Sequence, residues 1–127
     1  MSSGRFATAI NCMDGRTQLP VHTWLKRTHA VDYVDTITDP GPVRILAEAT
    51  DAAALESIKR RVSISVTKHG STCVAIIAHA DCAGNPVDKE TQVHQLRMAA
   101  ATVLSWGFGV QLDLLWLGND WQVEHIG

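Results

Sequence analysis

The chain of 127 residues is 46% hydrophobic and 19% charged, with 11 basic and 13 acidic side chains and a formal net charge of −2. That length fits one domain spanning residues 1–127, which buries about two-thirds of the surface of its unfolded chain and so needs neither disulfides nor metal merely to fold. The balanced charge lacks the basic footprint of a nucleic-acid binder, and the longest apolar run, Cys73 to Ala78, is far short of the roughly 20 residues a bilayer demands.

In chain order, Met1 to Arg5 carries no apolar secretory core. Phe6 to Ile10 is a compact apolar run ending at Asn11-Cys12 and reads as a buried strand. Pro20 to Thr28 reads as a helix with Pro20 in its first turn, where a missing N–H costs little. Val31 to Ile37 alternates as a second strand, stopped by Asp39-Pro40-Gly41-Pro42. From Thr50 to His69 the apolar residues Leu55, Ile58, Val62 and Val66 form one helical stripe, capped by Thr50 and ended by Gly70. Cys73 to Ala78 is continuous and apolar, as a strand covered on both faces should be. A second long helix runs from Asp88 to Trp106, with Val93, Leu96, Ala100 and Val103 inward and Gly107 at its end. Val110 to Leu117, a turn at Gly118-Asn119-Asp120, and Trp121 to Ile126 close the chain as a hairpin. Strands alternating with helices predict an α/β fold with a mainly parallel sheet, to which the hairpin adds one antiparallel edge strand.

Chemistry-bearing residues concentrate after two of the strands. Cys12-Met13-Asp14-Gly15-Arg16 follows the first, and His79-Ala80-Asp81-Cys82 follows the strand at 73–78. Ligands of open α/β sheets bind beyond the carboxyl ends of strands, so neighbouring strands bring Cys12, His79 and Cys82 together. Two thiolates and an imidazole suit zinc, and three protein ligands leave a fourth position open, as in catalytic sites. Asp14 lies close enough to reach that position, and Arg16 can hold it away in a bidentate pair. Taken singly, each residue has a plainer role: Cys12 as a buried hydrophobe, His79 as a loop histidine, Asp14-Gly15 as a turn. The conjunction of two ligand-rich loops is what favours a metal site. A thiol phosphatase is disfavoured, because too few residues separate Cys12 from Arg16 and no glycine-rich cradle surrounds them.

The C-x-D-x-R and H-x-x-C motifs, here Cys12 to Arg16 and His79 to Cys82, resemble those of the β-class carbonic anhydrases. The resemblance extends through Asp32 to Ile37, the helix before Cys73 and the hairpin Leu112 to Ile126. It implies a sheet ordered 2-1-3-4 and zinc held by Cys12, His79 and Cys82. It also implies a catalytic pair of Asp14 and Arg16, and a homodimer or higher homo-oligomer with active sites near the subunit interface. The implied reaction is reversible hydration of carbon dioxide to bicarbonate. Zinc lowers the pKa of its water from 15.7 to about 7, the hydroxide attacks carbon dioxide, and Asp14 orients it while Arg16 keeps Asp14 ionised. If Asp14 swings onto the metal, the site closes.

Relatives of this kind also hydrolyse carbonyl sulfide or carbon disulfide, and a catalytically silent zinc-binding homologue is a further alternative. This chain departs from the family's usual pattern in four places, one of them the brief stretch between Cys82 and Asp88. It also starts at the first strand, without the N-terminal helical arm; Ala83-Gly84 follows the last ligand; and residues 36–43 replace a segment that usually carries a basic residue and an asparagine. His22, His29, His69, His94 and His125 titrate in the range a proton relay needs, though each is more simply a surface or helix-end residue. Asp81 is placed either to orient His79 or as a loop carboxylate, Cys73 as inert core, and Trp116 and Trp121 as packing or dimer-contact residues. Three widely spaced cysteines argue against a disulfide framework and for a reducing cytoplasm.

Overall fold

A computed structural model describes residues 4–127. Five strands, β1 (Phe6–Cys12), β2 (Tyr33–Asp39), β3 (Cys73–His79), β4 (Gln111–Leu117) and β5 (Val123–His125), form one sheet ordered β2-β1-β3-β4-β5. The first three pairings are parallel and β4–β5 is antiparallel, as the pattern predicts. β1 and β3 are the central strands, buried almost throughout, which explains the unbroken apolar run of β3 and the mainly apolar one of β1.

Four α-helices among the described residues cover the two faces: α1 (Gln18–His29), α2 (Pro42–Glu48), α3 (Ala52–Lys68) and α4 (Lys89–Leu104). Val21 and Leu25 of α1 pack on Ala9, Ala75, Ile77, Leu115 and Leu117. On the opposite face Leu46, Ile58, Val62, Leu96 and Val103 pack on Ile10, Ile37, Val74, Ile76 and Leu114.

Local physics moves several predicted boundaries. α2 falls where a stop is expected: Gly41 takes a left-handed φ of +61°, and Pro42 then begins a helix with its φ already set. α3 is capped by Asp51, whose side chain accepts from the N–H of Ala54, rather than by Thr50. α4 buries Gln92 and Ala99 beside Leu96 and Val103, while Val93 and Ala100 are only half-buried. Gly70 and Gly107 lie just beyond helix ends with φ of +70° and +73°, the left-handed exits expected of them.

Two polar clusters lock the layers. Asp113, buried on β4, pairs through its two oxygens with His29 Nε2 at 2.6 Å and His125 Nε2 at 3.1 Å, tying α1 and β5 to the sheet. At the amino end of the strands, Asp35 pairs with His69 at 2.6 Å and accepts from the Ser65 hydroxyl at 2.7 Å. His22 bonds Thr36 at 2.8 Å, and His94 is an exposed residue of α4. Four of the five histidines other than His79 thus bond partners away from the strand ends that carry Cys12 and His79: His22 to Thr36, His29 and His125 to Asp113, and His69 to Asp35.

Candidate metal centre

β1 and β3 are adjacent and parallel, with Ile10 opposite Ile76, so their carboxyl ends lie side by side. The chain runs from β1 to β2 on one flank and to β3 on the other, which makes this the switch point of the sheet. Cys12 ends β1, His79 ends β3, and Cys82 follows in the next loop. Their donor atoms all lie within 4.8 Å of one another, and all three residues are buried.

Backbone chemistry prepares this end. Asp14 caps a single 3-10 turn at Gly15–Thr17, accepting from the N–H of Arg16 at 2.9 Å. The Gln18 amide donates to the carbonyls of Cys12 at 2.7 Å and Asp14 at 3.1 Å. Behind His79 stands Gln92, whose Oε1 accepts from the His79 N–H at 3.2 Å while its Nε2 donates to the His79 carbonyl at 2.9 Å. After Cys82 the chain passes so close to β2's exit that a Cβ on Gly84 would stand 2.6 Å from the backbone of Pro40. Only glycine permits that approach, which holds the Cys82 loop against the segment entering α2.

Three observations show that the donor set fits a soft-to-borderline metal ion. Cys12 Sγ and Cys82 Sγ are 3.9 Å apart; two sulfurs bound at 2.3 Å in a tetrahedron stand about 3.8 Å apart. His79 Nδ1 lies 2.6 Å from the carbonyl of Ala80, which accepts its proton and leaves Nε2 as the lone-pair nitrogen. That Nε2 is buried without a hydrogen-bond partner, although buried polar atoms are ordinarily paired.

Charge within the group is asymmetric. Burial opposes ionisation of Cys12, but His79 beside it and the backbone N–H groups of Asp14 and Gly41 outweigh burial and bring its thiol to about 7. Burial, reinforced by the charge on Cys12, pushes the Cys82 thiol up. A bound dication relieves both penalties, because its ligands are thiolates.

Asp14 does not join the convergent donors. Arg16 claims both its oxygens, Nη2 to Oδ2 at 2.7 Å and Nε to Oδ1 at 3.1 Å. This bidentate guanidinium holds the Asp14 carboxyl down at about 2, so it is anionic at neutral pH. Asp81 does not orient His79; its carboxylate and carbonyl accept from Arg16 at 3.3 and 3.2 Å. Trp121 lies beneath the same guanidinium, whose Cζ is 4.3 Å from the ring centre. Cys73 sits apart in the core, its thiol pushed up to about 11 chiefly by burial. The buried contribution of Gln92 leaves no motif in the sequence; the one signal is a glutamine standing one residue before the predicted inward Val93.

An α/β sheet with a Cys–His–Cys donor group at its switch point defines an α/β protein with a candidate metal site. In its fold the chain is similar to the crystal structure of the β-carbonic anhydrase CafA of the fungal pathogen Aspergillus fumigatus. That match has a TM-score of 0.52 and 14% identity, covering 94% of this chain and 74% of that one. The family model described as "Putative carbonic anhydrase" matches residues 2–127, and the chain belongs to that family. No curated protein matches the sequence.

Proposed function

We propose that the protein catalyses the reversible hydration of carbon dioxide to bicarbonate, with zinc held by Cys12, His79 and Cys82. The carrying observation is the buried convergence of those three donors within 4.8 Å, with His79 Nε2 left unpaired. When bound, zinc supplies a Lewis acid that makes a coordinated water nucleophilic near neutral pH.

The chain's own residues provide the remaining chemistry. Asp14, anionic and fixed by Arg16, offers an acceptor at the mouth of the group and orients the attacking water by taking its hydrogen bond. Arg16 keeps Asp14 off the donors by engaging both oxygens. The side-chain amide of Gln92 fixes the His79 main chain, and the backbone carbonyl of Ala80 fixes its ring. A shallow cavity lined by Asp14, Arg16, Asp81, Cys82, Ala83, Pro86 and Val87 gives a small molecule access from solvent. The same reading takes the 127 residues as one domain of a cytoplasmic homo-oligomer. In its support, no helix is long and apolar enough to cross a membrane among the described residues, and Met13 and Leu19 near the site are 64% and 75% exposed.

Stopped-flow hydration of carbon dioxide by zinc-loaded protein tests the proposal. Active wild type, and an Arg16→Ala variant that keeps its zinc but loses hydration, is the expected result. Zinc-loaded wild type without activity points to the silent homologue, and unchanged activity in Arg16→Ala defeats the role given to the pair.

A further inference from the structure

Trp121 occupies the turn between β4 and β5 with a backbone φ of +56°. A bulky side chain adopts that left-handed conformation only where its surroundings enforce it. Its N–H donates to the Gly118 carbonyl at 3.0 Å, which fixes the turn. One face of the indole then carries the Arg16 guanidinium at 4.3 Å, and the ring centre stands 5.9 Å from that of His79. A single side chain thus neighbours both the partner of Asp14 and one of the metal donors.

Asp81, on a separate loop, is also left-handed, with φ of +55°. Its carbonyl accepts from Arg16 Nη2 at 3.2 Å and its carboxylate from Nη1 at 3.3 Å. Two non-glycine residues in a costly backbone conformation therefore converge on one guanidinium. The Arg16 side chain is 46% exposed and the Asp81 side chain 76% exposed, so their ion pair contributes little on its own. Besides the two bonds to Asp14, the flat indole further restricts the plane in which the guanidinium can lie.

We propose that Trp121 is a positioning residue. Its indole holds Arg16 in the orientation that keeps both Asp14 oxygens engaged and away from Cys12, His79 and Cys82. This rests on the site reading above. The competing role is packing alone, since Trp121 also leans on the cluster of Ala9, Val21 and Leu25.

The test uses the full-length, zinc-loaded protein and two variants. Trp121→Gly suits a φ of +56° and so preserves the turn while deleting the ring; Trp121→Phe keeps an aromatic face. Hydrogen exchange at Arg16 Nε–H, which donates to Asp14 at 3.1 Å, reports the pair by NMR without reference to catalysis. In Trp121→Gly we expect faster exchange at that proton and kcat lower by roughly two- to fivefold, the scale of an exposed cation–π contact. KM and zinc stoichiometry stay unchanged, and Trp121→Phe stays near wild type. Retained exchange protection and retained kcat in Trp121→Gly overturn the proposal, as does a loss confined to thermal stability. If zinc-loaded wild type shows no hydration, the hydration reading falls, yet Arg16 exchange in Trp121→Gly still decides the positioning role.

Discussion

Replacing Gln92 with leucine isolates what holds His79 in place. Gln92 is 1% exposed. Its amide makes three hydrogen bonds, accepting from the His79 N–H at 3.2 Å and donating to the carbonyls of His79 at 2.9 Å and Val87 at 3.1 Å. Leucine has a comparable volume but satisfies none of these groups, and the interior provides no water in exchange. At about 1 kcal/mol for each orphaned bond the loss comes to about 3 kcal/mol, large against the ~5–15 kcal/mol that holds a domain folded. For a chain of this size that lowers Tm by about 10 °C. Urea unfolding of the metal-free protein, followed by circular dichroism, measures the loss without any contribution from zinc. Zinc titration of the same variant should show weaker binding, because the last residue of β3 has lost its tether to α4. A loss below about 1 kcal/mol with unaltered zinc affinity would refute this assignment of the His79 support to Gln92.

Two further outcomes follow from buried groups elsewhere. Asn11 is fully buried on β1 with neither amide atom hydrogen-bonded, so Asn11→Leu, similar in branching, should raise unfolding free energy by roughly 1–2 kcal/mol; a lower denaturation midpoint would contradict this. The unfolded chain releases the Cys73 proton near pH 9.0 while the folded chain retains it to about 11. The folded state thus binds the extra proton, stability declines as pH rises across that interval, and Cys73→Val should flatten the decline in pH-dependent unfolding curves.

The central strands and the donor group were legible because their signals are local and strong. Nothing but burial on both faces explains the unbroken run Cys73 to Ala78, and strand adjacency then brings Cys12 to His79 and Cys82. α2 was hidden because Pro40-Gly41-Pro42 reads as a break, whereas Gly41 at φ +61° makes it the entry to a helix. Thr50 and Asp51 both have the chemistry of a cap, and only the backbone path selects Asp51. Gln92 was concealed by its polarity, since periodicity counts apolar residues and a buried amide bonded to backbone is invisible to it. Trp121 and Asp81 reach Arg16 across intervals of sequence that no spacing rule links.

X-ray absorption spectroscopy at the zinc edge, on protein purified without chelator, bears most directly on the proposed centre. One zinc per chain with two sulfurs at about 2.3 Å, one nitrogen at about 2.0–2.1 Å and a single further oxygen is the expected spectrum, with one sulfur lost in Cys12→Ser. Protein that retains no zinc, or binds it through nitrogen and oxygen alone, would show that Cys12, His79 and Cys82 do not form the metal site.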